Sequence, residues 1–401
     1  MPELGQLLSL EYGDALPAEQ RAGHGFPVFG SNGEVGRHHQ PLVDGPGIVV
    51  GRKGSVGKVC WSEDAFWPID TTYWVKCAAK ERRWIYWLLS RLPLSELDSS
   101  TGVPGLNRND VYELTVFEPP TTDEKSRIAE ILDTLDTTIR QTEAIIEKLK
   151  QVKQGLLHDL LTRGIDANGE LRPPQSQAPH RYKDSPLGWI PREWRVETLP
   201  ALALGGLMNG VFKEPKRVGS GVALVNVADL YRGQNVDLGR CERFAATAAE
   251  IDRYGARRGD IFFTRSSLKL EGIAQTSFLD DEPDGAVFEC HVMRLRPNPE
   301  LAAPRFLKEW CVARNARTHF MSHAKQVTMT TISQDGISSL RCPVPPLPEQ
   351  VEAVKRISAV DGRAAAEAND LRKARLLRSG LMDDLLTGRV RVTPLLPAAA
   401  A

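Results

Sequence analysis

Gly155-Leu156-Leu157-His158-Asp159-Leu160-Leu161-Thr162 returns later in the chain as Gly380-Leu381-Met382-Asp383-Asp384-Leu385-Leu386-Thr387. Extended outward, all of Glu124–Gly164 lies over Glu349–Arg389 without a gap, with Asp136 on Asp361 and Lys148 on Lys373. In the first copy Ile128, Ile131, Leu132, Leu135, Ile139, Ile146, Leu149, Leu156 and Leu160 step mainly by three and four. That spacing keeps one apolar stripe on one helix face. Arg140, Glu143, Glu147, Lys148 and Lys150 charge the opposite face. Pro119-Pro120 before the stretch and Gly164 after it are stop signals. About 40 residues at 1.5 Å each reach roughly 60 Å. A lone amphipathic helix of that length needs a partner for its stripe, and the second copy is the obvious one. In that copy Ala364, Ala365, Ala366 and Ala368 fall on the expected seam. The repeat is not a solenoid, because a domain's worth of chain separates its copies. It describes a domain followed by a long helix, twice.

The rest of the 401 residues divides around these helices. The pattern predicts a first globular domain over 1–123, the first long helix over 124–164 and a polar, proline-bearing linker over 165–184. A second globular domain follows over 185–348, then the second helix over 349–391 and a disordered tail over 392–401. Glycine-bounded apolar runs, Gly47–Gly51 and Gly57–Trp61 in the first domain and Asp260–Thr264 and His291–Leu295 in the second, read as strands. Trp84–Leu89 and Leu301–Phe320 read as helical. The fold class is therefore α+β: two globular domains separated by two long antiparallel, coiled-coil helices.

Formal charge balances at zero, which removes the simplest argument for a nucleic-acid partner. The first domain leans acidic and the second basic. No apolar run approaches the roughly 20 residues that span a membrane. The opening Met1-Pro2-Glu3-Leu4 lacks a secretory pattern, so a cytoplasmic protein with reduced thiols is expected. The six cysteines are scattered without a CxxC pair and read mainly as small core residues.

Catalytic signatures fail one by one. Gly51-Arg52-Lys53-Gly54-Ser55-Val56-Gly57-Lys58 has five residues between Gly51 and Gly57, and Val59 follows Lys58, so the nucleotide phosphate loop does not fit. A glycine loop carrying Arg52, Lys53, Ser55 and Lys58 is nonetheless built to approach a nucleic-acid backbone, and equally reads as a tight hairpin with solvated lysines. Gly30-Ser31-Asn32-Gly33 is a hairpin turn in which Asn32 can also read a base edge. Phe117-Glu118-Pro119-Pro120-Thr121 superficially looks like the proline loop of amino-methyltransferases, but lacks both the polar residue before the prolines and the aromatic after them. His319 and His323 share a helix face, with no intervening acid and no evident third ligand. No catalytic residue and no metal site is expected.

Taken together, the repeated helix end, Pro345-Pro346-Leu347-Pro348-Glu349-Gln350 ahead of the second helix, and Asp184-Ser185-Pro186-Leu187-Gly188-Trp189-Ile190-Pro191 with Trp194 resemble the specificity subunits of type I restriction–modification systems. Gly30–Gly33, Gly51–Gly57 and Gly259-Asp260-Ile261-Phe262 are similar to elements of the same family. The resemblance implies a non-enzymatic subunit whose two target-recognition domains each read half of a split site in double-stranded DNA. The helices would act as a spacer and dock two modification (methyltransferase) subunits, with motor-nuclease restriction subunits joining for cleavage. S-adenosylmethionine belongs to the methyltransferase, ATP and Mg to the nuclease, and this chain binds no cofactor. A spacer of roughly 50–60 Å compares with about 16 base pairs at 3.4 Å each. DNA contacts are expected from Asn32, Arg52, Lys53, Ser55 and Lys58, and from Thr264, Arg265, Ser266, Lys269, Lys325 and Gln326. Docking is expected at the helix ends: Leu156, Asp159 and Leu160, and Leu381, Asp384 and Leu385. The competing reading is a coiled-coil scaffold that holds proteins and reads no DNA.

Overall fold

A computed structural model describes residues 1–97, 105–326 and 328–396. It divides into two compact units, Met1–Ile146 with Ala366–Ala401 and Glu147–Ala365. Both mix helix and strand. Two continuous helices, Thr122–Thr162 and Leu347–Leu386, each give one part to one unit and the remainder to the other. Their bounds differ from the repeat. The second starts at Leu347 because Pro348 sits in its first turn, where a missing N–H and a fixed φ cost nothing. The ends come earlier than expected, at Thr162 and Leu386. Gly164 (φ 65°) and Gly388 (φ 74°) lie just beyond in left-handed conformation.

In the first unit, strands Ser9–Tyr12, Thr72–Lys76, Gly47–Gly51 and Val59–Ser62 form an antiparallel sheet in that order. Every residue of Gly47–Gly51 is buried, and Gly47 is required because a Cβ there would run into the Phe66 ring. A three-stranded sheet places Phe26–Gly30 between Gly33–His38 and Trp67–Pro68. Helix Arg82–Arg91 buries Trp84, Ile85, Trp87, Leu88 and Leu89. These share a core with Ile128 and Leu132 of the first long helix and with Leu385 and Leu386 of the second. Asp136 pairs with Arg378 at 2.5 Å and Glu143 with Arg375 at 2.5 Å. The two helix segments therefore run in opposite directions within this unit. Glu118, of the proline stretch, accepts from Lys125 Nζ at 2.6 Å and serves packing.

The second unit holds a four-stranded sheet, Ala203–Asn209, Val292–Pro297, Ile261–Thr264 and Thr276–Phe278. Beside it, Val218–Val225 lies between Glu242–Phe244 and Ala286–Phe288. Leu301–Phe320 resolves into two helices, Pro304–Val312 and Arg314–Ser322. The core takes in Leu160 and Leu161 from the first long helix and Ala353 and Ile357 from the second. Lys153 pairs with Asp361 at 2.6 Å. Ala365, Ala366 and Ala368 are exposed, so the alanine run does not form a buried seam.

Two expectations are corrected by burial. The 165–184 stretch is no loose linker: Ile165, Arg172, Ala178 and Tyr182 are buried, and Tyr182–Lys183 pairs with Ile190–Pro191. Its polar composition hides one strong anchor, Arg172, which is tied to Glu349. Nor does disorder begin at 392, since Val392 is buried and Thr393 Oγ1 donates to Glu124 at 2.6 Å; residues 397–401 lie outside the described residues. No described helix is long and apolar enough to cross a membrane.

One surface helix carries an acid-sensitive element. Thr247 and Glu250 form a capping box at Ala248–Tyr254, and the Arg217 guanidinium grips the same carboxylate. Arg217, then the Thr247 N–H, hold the Glu250 carboxyl near a pKa of about 2, against an ordinary 4.5. The folded value lies below the unfolded one, so the stabilisation is complete above 4.5 and is lost as pH falls from 4.5 towards 2. Glu250→Gln should therefore be less stable than wild type at pH 7, with the gap narrowing over that window, as read by urea melts across pH.

Candidate nucleic-acid interface

The first unit brings its two glycine turns together. Lys58 Nζ donates to the Asn32 backbone oxygen and to its Oδ1, both at 2.8 Å, and Ser55 N–H reaches Ser31 Oγ at 3.5 Å. Asn32, Lys53 and Lys58 are exposed. Lys58 fills one lone pair of the Asn32 side-chain oxygen, which leaves Asn32 its two amide N–H donors and one further acceptor position. Arg52 Nη1 donates to the Asp70 carbonyl at 3.0 Å, which holds the guanidinium 4.8 Å from the Tyr12 ring centre. Arg108 approaches the same ring to 5.1 Å. Tyr12 is 49% exposed between these cations. Sequence reading missed Tyr12 and Arg108, which are distant from the glycine turns along the chain and joined to them only by the fold. The loop after Gly51 leads into a strand, Val59–Ser62, and not into the helix that a nucleotide phosphate loop requires.

In the second unit a small sheet orders Ser266–Ser267, Thr330–Thr331 and Lys325–Gln326. It gathers Ser266, Lys325 and Gln326 beside exposed Arg265 and Lys269. Leu268, 87% exposed, and Met329 are apolar neighbours that the sequence did not single out. Thr264 is removed from the candidate set. It is fully buried, its hydroxyl donating to the Gly272 carbonyl at 3.2 Å and accepting from the Gln275 N–H at 2.9 Å. A β-branched threonine ending a buried strand packs inward.

The docking set also changes. Leu160 and Leu385 are buried in the unit cores, and Leu156 and Leu381 pack against them. Asp159 accepts from Arg163 Nη1 at 3.0 Å and Asp384 from Arg389 Nε at 2.5 Å. The repeated motif is thus an anchor for each helix end. The exposed large apolar residues on the described parts of the two long helices are Ile145, Val152, Val351, Leu376 and Leu377. His319 and His323 stack at 4.0 Å, and both are held by hydrogen bonds; His323 closes its helix by donating its N–H to the His319 carbonyl. Burial, then the neighbouring His323, keeps the His319 pKa below its ordinary value.

If the turn cations meet phosphates, Lys53→Ala and Lys58→Ala should each lower the salt slope of DNA binding by about one, while Tyr12→Leu weakens binding without changing that slope. Titrations between low and moderate salt check this; slopes unmoved by either lysine change would remove this face from the interface.

Residues 2–151 match the family described as type I restriction modification DNA specificity domain. The chain is 24% identical to the EcoDI specificity subunit of Escherichia coli over 379 residues, which is 88% of this chain and 79% of that protein. It is 22% identical to the MjaVIII specificity subunit of Methanocaldococcus jannaschii over 75% of this chain and 67% of that protein. The crystal structure of a type I restriction–modification S subunit from M. genitalium superposes with a TM-score of 0.61 at 16% identity, covering 96% of this chain and 95% of that one. A second solved chain, from work on assembly and conformational transition of the type I R-M system, gives 0.52 at 14% identity, covering 97% of each chain. The resemblance first carried by a repeated helix end therefore extends over nearly the whole chain: its first part matches the type I DNA specificity domain, and the chain as a whole is similar in sequence and in fold to specificity subunits of type I restriction–modification systems.

Proposed function

We infer that this chain is the non-catalytic, DNA-reading subunit of a type I restriction–modification complex. Each unit contacts one half of a bipartite double-stranded site, and the long helices form an antiparallel coiled-coil spacer. The observation that carries this reading is that each unit, by itself, presents clustered cations and amides, on adjacent turns in one (Asn32, Arg52, Lys53 and Lys58) and on or beside one small sheet in the other (Arg265, Ser266, Lys325 and Gln326). Cations fix register on phosphates, and amides read base edges. Two methyltransferase subunits dock on the helices, with Ile145, Leu376 and Leu377 replacing the buried motif leucines as contacts. Adenosylmethionine is bound by those partners, and ATP and Mg by a motor-nuclease subunit.

The deciding experiment expresses the chain with a type I modification subunit and sequences methylated adenines genome-wide. The expected result is two fixed half-sites at one fixed spacing. Methylation by the purified chain alone would sink the non-catalytic assignment. Helix-mediated assembly without any DNA footprint would instead establish a protein scaffold.

A further inference from the structure

Glu289, Cys290 and His291 follow one another between strands Ala286–Phe288 and Val292–Pro297, and the chain turns so that their side chains converge. His291 Nδ1 lies 2.9 Å from Glu289 Oε2, and Cys290 Sγ lies 3.5 Å from the same nitrogen and 3.7 Å from the same oxygen. Metal bonds of about 2.0–2.3 Å at tetrahedral angles set sulfur about 3.5 Å from a nitrogen or oxygen ligand, and nitrogen about 3.3 Å from oxygen. Two edges of this triangle already match. The third opens by about 0.4 Å when a hydrogen bond is exchanged for two metal bonds.

The backbone holding the donors is fixed on every side. Glu289 N–H donates to Val225 O at 3.1 Å, and Val292 N–H to Glu289 O at 3.0 Å. Asn209 Nδ2 donates to Cys290 O at 2.9 Å, and Arg265 N–H to His291 O at 2.9 Å. Little ordering would accompany binding. Charge points the same way. Glu289 is 6% exposed, and the side-chain partners of its Oε2 are a thiol and an imidazole, neither of them a permanent cation. A carboxylate withdrawn from water in this way favours a cation beside it.

We propose that Glu289, Cys290 and His291 form a three-donor site for a borderline-soft divalent cation of the zinc type. Sulfur and imidazole donors disfavour magnesium and calcium, which take oxygen. The side chain of His291 is 59% exposed, which leaves a fourth position open to water. The role is bracing. The site holds the turn against Arg265, the residue that leads into the Ser266–Ser267 strand of the candidate interface, and it stands or falls independently of what that interface reads.

The test titrates Co²⁺ alone into the reduced, chelator-treated full chain. One equivalent should bind with a thiolate-to-cobalt charge-transfer band, and Zn²⁺ should displace it. Cys290→Ser should abolish the band, and His291→Ala should lower affinity at least about tenfold. Because a change at this turn can disturb folding, a second measurement uses the unaltered chain. Zn²⁺ should slow alkylation of Cys290 at least about tenfold relative to Cys60, a partly exposed thiol in the other unit, read by peptide mass spectrometry. Absence of the charge-transfer band at saturating Co²⁺, its persistence in Cys290→Ser, or alkylation of Cys290 unaffected by Zn²⁺ would each overturn the site.

Discussion

Adding one helical turn to both long helices, four residues after Ala144 and four after Asp370, should move the preferred spacing between half-sites by about two base pairs and leave each half-site unchanged. Four residues add roughly 6 Å of helix, and a base pair rises about 3.4 Å. The insertions must be matched. Asp136–Arg378 and Glu143–Arg375 register the helices in one unit, and Lys153–Asp361 does so in the other. Lengthening Thr122–Thr162 alone would shift one set of partners past the other. Binding to the original site should drop to the non-specific level, on the order of 10³-fold or more. Methylated-adenine sequencing reads the new spacing directly. Unaltered spacing with matched insertions would end the spacer role.

The second large effect concerns stability. Glu349, in the first turn of the second helix, accepts from Arg172 Nη1 at 2.5 Å and Nη2 at 3.0 Å, from Trp194 Nε1 at 3.2 Å and from Ile165 N–H at 2.8 Å. Both charged side chains are only 9% exposed, and Trp194 is fully buried. Glu349→Ala would leave a buried guanidinium with only the Arg163 carbonyl at 3.2 Å and the exposed Glu193 at 3.9 Å, and would take the acceptor from the Trp194 indole N–H, so it should destabilise the second unit by about 3–5 kcal/mol. Replacing both, as Arg172→Met with Glu349→Leu, should cost far less, because no charge is then left unpaired. Asp383→Ala breaks the half-exposed Arg91 pair and should cost about 1 kcal/mol or less. Hydrogen exchange followed by peptide reads each unit separately; a loss below about 1 kcal/mol for Glu349→Ala would refute the buried-anchor account.

The first helix has its own counterpart. Glu124, which overlies Glu349 in the repeat, accepts from Arg391 Nη2 at 2.7 and 2.8 Å and from Thr393. Burial opposes ionisation there, but the Thr393 and Arg391 hydrogen bonds hold the Glu124 carboxyl below its ordinary pKa. In each unit, then, a first-turn glutamate of one long helix is tied to an arginine from the segment following the other. Arg172 lies in the stretch that composition marked as a linker, and Arg391 at the edge of the supposed tail. Composition counts charges, whereas an ion pair is decided by which charges the fold brings together in a dry place.

Periodicity and repetition were enough to reveal the two long helices, the doubled organisation and the family resemblance, because helical spacing is local and a duplicated pattern needs no coordinates to be seen. Strand Gly47–Gly51 and helix Arg82–Arg91 were legible for the same reason. Contacts between distant segments were not. Thr264 looked like a contact residue until its strand proved buried, and Leu160 and Leu385 looked like a docking face until both entered cores. Tyr12 joins Arg52 and Arg108 only through the sheet that sets Ser9–Tyr12 beside Thr72–Lys76. A sequence states which side chains are available along one dimension; which of them share a surface, and which lose their water, is decided when chain segments far apart in sequence pack together.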